Sequence, residues 1–321
     1  MNKIKLFIQN NKQLLGLLVA TFALLVVLSF TVENFMTVKN ITNLLAQVAP
    51  IAIMASGVTF VFITGGIDIS SPAVMAASSV LGVAFMTSFK VATGVHLLIG
   101  TLLLLLAGGL CGLINGAAIA KLKMVPLVVT LSMMTIATGL ATVVGGGIGL
   151  PVLPESYANF FNKYTIIGML IVIPVILDFI LTGTSFGRKA YYIGNKEETA
   201  RISGIKTDDV ILIVYVICGL CAAIAGIINT ALLETARATM GPQGQILDVI
   251  SAAVIGGVAV NGGKGRVRDA VLGAFLIVGI SNVMNLLGVS DYYTTMIKGS
   301  IIIFAMGISS FKDNYLARKA A

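Results

Sequence analysis

Long apolar blocks separated by short polar stretches dominate the chain. Crossing the hydrocarbon core of a bilayer takes about 20 residues of helix, and all but one of the blocks approach that length. The blocks lie at about residues 13–31, 44–64, 69–88, 95–119, 125–145, 164–182, 210–231, 246–260, 269–287 and 293–310. The pattern predicts an all-α polytopic membrane protein with about ten transmembrane helices, the eighth of them short enough to be broken or partly inserted.

Composition supports a membrane environment. The 321 residues are 57% hydrophobic and 11% charged, whereas a soluble domain carries about 25% charged residues. Inside lipid, every backbone N–H and C=O must be hydrogen-bonded within the protein, which leaves helices or closed barrels. Barrel strands need alternating polar and apolar positions, which these unbroken apolar blocks lack, and helices are therefore favoured.

The positions of the basic residues give the predicted helices a direction. With a cytoplasmic N-terminus and ten spans, five of the 21 Lys and Arg residues fall on the outer side, namely Lys39, Lys90, Lys163, Arg237 and Lys298. All the others face the cytoplasm, as the positive-inside rule requires. This prediction places both termini in the cytoplasm. It also explains the net charge of +8 by a basic face against anionic lipid, without nucleic acid.

The polar stretch at residues 146–163 divides the chain into two predicted halves, about 1–150 and about 160–321, of one permease domain spanning 1–321. Five spans in each half would give the halves opposite orientations, and inverted repeats of this kind are common in transporters. Gly108, Gly112 and Gly116 recur every four residues, and we expect them to pack helices closely within one subunit rather than to form a dimer contact.

Polar residues inside membrane helices usually face the bundle interior or a cavity. The candidates for a translocation pathway are Gln47, Asn115, Asn229, Asn282 and Asn285. Hydrogen bonds between helices explain them at least as well.

Nothing in the sequence indicates catalysis, and we expect a protein that is not itself an enzyme. No group of acids, bases and nucleophiles has catalytic spacing, and no His, Cys or acidic cluster predicts a metal site. Lys264 follows Gly263 as in a phosphate-binding loop, but Val258 replaces the first glycine and Gly265 replaces the required Ser or Thr. If ATP drives this protein, another subunit must bind it.

The most informative polar segment is the loop at residues 186–206. Asn195 is predicted to cap a helix of about two turns with Glu197 and Glu198 in its first turn, and Gly204 is predicted to end it. We expect Ala200, Ser203 and Gly204 to give this helix a small-residue face, with Arg201 as a charged tip. Such a helix could dock on a partner, or the segment could be a solvated loop that positions its neighbours; from the residues alone both remain open.

This loop resembles the cytoplasmic coupling loop of sugar permeases of the ribose and galactoside ABC-importer family. The matching residues are Gly187, Arg188, Tyr191, Gly194, Asn195, Ala200, Arg201, Ser203, Gly204 and Ile205. The segments Gly66–Ser70 and Ala252–Arg266 also resemble family motifs, and the likeness covers nearly the whole chain. Departures at Ile193, at Ser71 with Pro72, and at residues 258–261 leave the transported sugar open.

The resemblance implies a permease subunit of an importer in the bacterial inner membrane that carries a ribose-like pentose or related sugar. Its implied partners are a cytoplasmic ABC ATPase that holds ATP and Mg, an extracytoplasmic sugar-binding protein and a second permease copy or paralogue, with no cofactor in this chain. The residues implied to couple to the ATPase are Gly187, Arg188, Gly194, Asn195, Glu197, Ala200, Arg201, Ser203 and Gly204. An ion-coupled secondary transporter is the alternative, with Asp178 and Asp248 as its candidate acids.

Overall fold

The computed structural model describes residues 35–89, 94–147, 149–150, 155–241, 245–301 and 303. Over these residues the chain forms helices and no strand, and the protein is a polytopic helical membrane protein. The predicted span at 13–31 lies outside the described residues, as does most of the second half of the span at 293–310.

The first half of the described chain contains five helices and the second half six. They are α1 Val38–Ile63, α2 Ser71–Thr87, α3 Gly94–Ala120, α4 Pro126–Val144, α5 Glu155–Phe160, α6 Lys163–Gly183, α7 Ser185–Asn195, α8 Glu197–Ile202, α9 Thr207–Leu233, α10 Gln245–Gly256 and α11 Val267–Leu286. A 3₁₀ turn at Ala238–Met240 precedes α10, and residues 291–301 are helical.

Six helices within these ranges, α1, α3, α4, α6, α9 and α11, are long and apolar enough to cross a bilayer. Helix α2 is apolar but shorter, and α10 has only 12 residues. The expectation of a short eighth block is therefore confirmed, because α10 spans about 18 Å at 1.5 Å per residue, well short of the hydrocarbon thickness.

Local chemistry explains where several helices begin. The Thr37 hydroxyl accepts a hydrogen bond from the Asn40 N–H at the start of α1, and the Asn162 side chain accepts from Tyr164 and Thr165 at the start of α6. Proline stands in the first turn of α2 and α4, where its missing N–H has no partner to lose.

Helix α1 forms the centre of the bundle. Its most apolar window is 89% buried, against 28% for α3, α4 and α6. It packs against α6, α9, α10 and α11. The predicted glycine face also lies inside the subunit: a Cβ added at Gly108, Gly112 or Gly116 would meet α9, so the expectation of packing within one subunit is confirmed.

Candidate functional site

A hairpin of two short helices, α7 and α8, joins α6 to α9 at one end of the bundle, which we call the α7–α8 end. The Thr184 hydroxyl caps α7 by accepting from the Gly187 N–H at 3.3 Å. The prediction that Asn195 caps the next helix is wrong. Asn195 is the last residue of α7, and α8 begins after Lys196, whose side chain makes no capping bond.

The end of α8 follows the prediction more closely. Gly204 has φ +81°, a left-handed conformation that ends the helix and that glycine adopts without strain. The expected small-residue face is only partly present, because Ala200 is 4% exposed and turned into the protein, whereas Ser203 and Gly204 are exposed.

Arg201 does not form an isolated charged tip. Its guanidinium donates to Glu197 Oε1 at 2.9 Å, Thr207 Oγ1 at 3.1 Å and Asp208 Oδ1 at 3.1 Å. Lys123, on the loop between α3 and α4, contacts the same Asp208 oxygen at 2.5 Å. Arg201 is therefore an exposed charge at the end of α8, as predicted, and it also holds α8 against the first turn of α9. Arg188 and Glu197, two other predicted coupling residues, have exposed side chains.

Three segments that are distant in sequence meet beside this hairpin, and we call their contact the glycine junction (Ile63, Gly194, Gly262 and Gly263). The Gly263 N–H donates to the Ile63 carbonyl at the end of α1, at 2.9 Å. A Cβ at Gly194 would overlap that same carbonyl, and one at Gly262 would meet the Gly194 backbone. The junction thus joins two of the segments that carry the family resemblance to the end of α1, which directly precedes the third.

Tyr191 adds a side-chain link at the same place. Its hydroxyl donates to the Gly265 carbonyl at 2.6 Å. Burial raises the pKa of Tyr191 to about 12, with smaller opposing effects from nearby charges. The hydroxyl therefore stays protonated, and remains a donor, at any physiological pH.

The outer surface of the hairpin carries a groove flanked by exposed apolar side chains. A cavity of about 400 Å³ is lined by Tyr192, Asn195, Lys196, Thr199, Ala200, Ser203 and Ile205. Tyr192 is 62% exposed and Ile202 is 88% exposed. Large apolar side chains exposed in a polar segment are typical of contact surfaces.

The predicted pathway residues do not form one group. Asn282 and Asn40 exchange two amide hydrogen bonds, at 2.9 and 3.1 Å, and both are buried. The Asn229 amide donates to the Met75 sulfur at 3.0 Å. Gln47 and Asn285 are exposed. For Asn282 the structure favours the alternative of hydrogen bonding between helices.

Asn115 belongs to a buried polar cluster around Asp68, which the sequence did not single out as a site. Asp68, 3% exposed, accepts from Ser70 N–H at 2.7 Å, Ser70 O–H at 2.6 Å and the Cys218 thiol at 3.1 Å. The Asn115 amide donates to the Ser70 hydroxyl at 3.0 Å. The cluster ties the α1–α2 loop to α3 and α9. The sequence feature that could have revealed this cluster is Asp68 itself, an acidic residue between two apolar blocks.

The opposite end of the bundle contains a largely buried ion pair. Lys298 donates to both oxygens of Asp248 at 2.9 Å, and each side chain is about 15% exposed. Asp178, the other acid considered for ion coupling, accepts from the Arg268 backbone N–H at 3.4 Å.

The chain is similar to known proteins over most of its length. The family described as "Branched-chain amino acid transport system / permease component" matches residues 40–306. The chain belongs to this permease family. No solved structure matches the permease.

Individual relatives cover nearly all of the permease. It is 38% identical over 301 residues to the ribose import permease protein RbsC of Bacillus subtilis (strain 168), covering 92% of each chain. It is 32% identical over 318 residues to RbsC of Escherichia coli (strain K12), covering 96% of each. The L-arabinose transport system permease protein AraH of E. coli is 34% identical over 303 residues, 93% of this permease and 90% of AraH. The resemblance to sugar permeases of the ribose type is confirmed.

Proposed function

We propose that this chain is the transmembrane permease subunit of an ATP-binding-cassette importer for a monosaccharide, a ribose-like pentose or a related sugar. It works in the bacterial cytoplasmic membrane with both termini in the cytoplasm. Ten transmembrane helices in two inverted halves, about 1–150 and 160–321, form one permease domain. The positive-inside rule places the α7–α8 end in the cytoplasm.

The observation that carries the proposal is the α7–α8 hairpin. It lies between two candidate spans, α6 and α9, and presents a groove with exposed Tyr192 and Ile202 beside it. Exposed apolar side chains beside a groove fit a protein partner better than they fit solvent. A cytoplasmic ATPase that binds ATP and Mg is the partner that the family resemblance implies.

The division of labour between subunits follows from the chemistry of the chain. The permease has no Trp and few charged residues, so we infer a weakly binding passage rather than a tight sugar site. A separate extracytoplasmic binding protein supplies the affinity, and a second permease copy or paralogue completes the passage. No cofactor resides in this chain.

The structure offers little support for an ion-coupled transporter. A coupling acid must gain and lose a cation during the cycle. Asp248 is held by Lys298 on both carboxylate oxygens, and Asp178 bonds a backbone N–H. Asp68 accepts three hydrogen bonds beside the first turn of α2, where the helix dipole favours a negative charge.

Uptake into proteoliposomes tests the proposal. The permease is purified with its ATPase and reconstituted, and radiolabelled ribose and arabinose are supplied with the binding protein. We expect uptake only with hydrolysable ATP inside the vesicle. Uptake driven by a proton or sodium gradient without the ATPase would refute the importer and support the ion-coupled transporter.

Docking at the hairpin has its own test. Tyr192→Ala removes an exposed ring at the α7–α8 end, and we expect recovery of the ATPase with the tagged permease to fall. Tyr292→Ala removes a ring of 84% exposure at the opposite end and should leave ATPase recovery unchanged. Equal recovery in the two variants would contradict docking on this face.

A further inference from the structure

The glycine junction joins the hairpin to α1 through backbone atoms. The Ile63 carbonyl accepts from Gly263, and the Gly194 backbone lies against that carbonyl and against Gly262. Backbone atoms in van der Waals contact have no rotamers with which to absorb a displacement, and close-packed contacts transmit strain. A movement of residue 194 must therefore move the end of α1 or break the contact.

Two further contacts lie along the same side of the hairpin. The Tyr191 hydroxyl bonds the Gly265 carbonyl at 2.6 Å, and the Phe186 ring packs against Phe60 of α1 with centroids 6.5 Å apart. In contrast, the Arg201 ion pairs that tie α8 to α9 are 42–53% exposed, and exposed ion pairs hold weakly.

Helix α1 is well placed to distribute such a movement. It is the most deeply buried of the candidate spans and packs against α6, α9, α10 and α11. A shift at Ile63 therefore reaches four helices. Of the two helices that the chain joins to the hairpin, α6 has a largely exposed flank and α9 is itself packed against α1.

We propose that the glycine junction is a positioning element that transmits the movement of the α7–α8 hairpin to α1, so that α1 moves with the hairpin during transport. The proposal rests on the proposed function, because it presumes that an ATPase moves the hairpin. Gly194 and Gly263 allow the close backbone contact because they have no side chain. Tyr191 holds the loop after α10 in place through its hydrogen bond to Gly265.

The first test is Gly194→Ala in the permease copurified with its ATPase. The added methyl group overlaps the Ile63 carbonyl. Overpacking of this kind shifts the equilibrium between the intact and the broken contact by about tenfold. We expect the sugar transported per ATP hydrolysed to fall about tenfold. Gly168→Ala, on α6 where a Cβ meets nothing within 4 Å, is the control and should keep the wild-type ratio.

Tyr191→Phe is a gentler test, because it removes one hydroxyl and leaves the packing intact. Loss of one hydrogen bond shifts the equilibrium between the intact and the broken contact by about fivefold. We expect the sugar transported per ATP hydrolysed to fall by about that factor. Tyr164→Phe, 81% exposed at the other end of α6, is its control. Recovery of the ATPase should stay unchanged, and the unfolding equilibrium should shift by no more than the same fivefold. A purely structural defect would lower both further.

The outcomes separate the two proposals. If the wild-type complex shows no ATP-dependent uptake, the proposed function fails. If wild-type uptake is present and both Gly194→Ala and Tyr191→Phe keep the wild-type ratio, the junction proposal is overturned. If Gly194→Ala does not fold, Tyr191→Phe alone decides.

Discussion

The glycine junction at one end of the bundle and the polar pairs at the other end are two different kinds of contact. At the α7–α8 end, Ile63, Gly194, Gly262 and Gly263 meet through backbone atoms. At the opposite end, two side-chain pairs, Asn40 with Asn282 and Asp248 with Lys298, stand beside a backbone contact in which the Leu150 N–H donates to the Ala236 carbonyl at 2.9 Å.

This difference determines which changes each end tolerates. A side-chain pair can be replaced on both sides by apolar groups at little cost, whereas removing one partner leaves the other unsatisfied. A backbone contact through glycine has no second side chain to adjust, so any larger residue disturbs it. The glycine junction is therefore fixed by its geometry, and the two polar pairs at the opposite end are fixed by pairing.

The largest expected effect is at the ion pair. Lys298→Met leaves Asp248 largely buried and unpaired, which should lower the free energy of unfolding by about 3 kcal/mol. Adding Asp248→Leu should restore most of it. Thermal unfolding in detergent measures both variants, and a double variant no more stable than the single one would contradict pairing as the source of stability.

The glycine junction should respond next. Gly262→Ala and Gly146→Ala both place a side chain at positive φ, but only the first meets another segment, the Gly194 backbone. The difference between the two isolates the overlap, and we expect Gly262→Ala to be less stable by about 2 kcal/mol. Equal unfolding midpoints for the two variants would mean that the junction accommodates the added methyl group, which would contradict the view that its geometry is fixed.

The amide pair should give a smaller effect. Asn282→Leu leaves the Asn40 carbonyl oxygen without its bond from Asn282, while the Asn40 amide keeps its bond to the Phe35 carbonyl. We expect a loss of about 1 kcal/mol in unfolding free energy. A double-mutant cycle with Asn40→Leu should show coupling between the sites, and strict additivity would rule out the pair.

An effect of similar size is expected at Gly204, where φ is +81° but a Cβ meets nothing within 4 Å. Gly204→Leu should cost about 1 kcal/mol through backbone strain alone. Gly204→Asn should be milder, because Asn tolerates the left-handed region. If both variants uncouple hydrolysis from transport equally, the small size of Gly204 matters for docking rather than its conformation.

Much of the fold could be predicted from the sequence because a bilayer imposes length and apolarity on every span. Seven of the predicted blocks coincide with described helices to within four residues, and the block at 44–64 begins six residues after the start of α1. The end of α8 at Gly204 was also predictable, since the left-handed position demands glycine.

The details of the site were less predictable because they depend on contacts between distant segments. Asn195 has the chemistry of a cap, but α7 extends through it. Arg201 was predicted as a charged tip, and only the fold shows that Thr207 and Asp208 lie beside it and accept its hydrogen bonds. Nothing in the local pattern joins Gly194 to Ile63 and Gly262, although all three lie in or beside segments that resemble the family.

The most direct test of the account is a distance across the glycine junction in the assembled importer. Spin labels are attached after Lys196→Cys and Lys264→Cys, both at exposed positions, and singly labelled variants identify distances between subunits. Double electron–electron resonance is recorded without nucleotide and with ATP. The account predicts the same distance in both states, because the hairpin and the loop after α10 move together with α1. A distance that changes on ATP binding would contradict it.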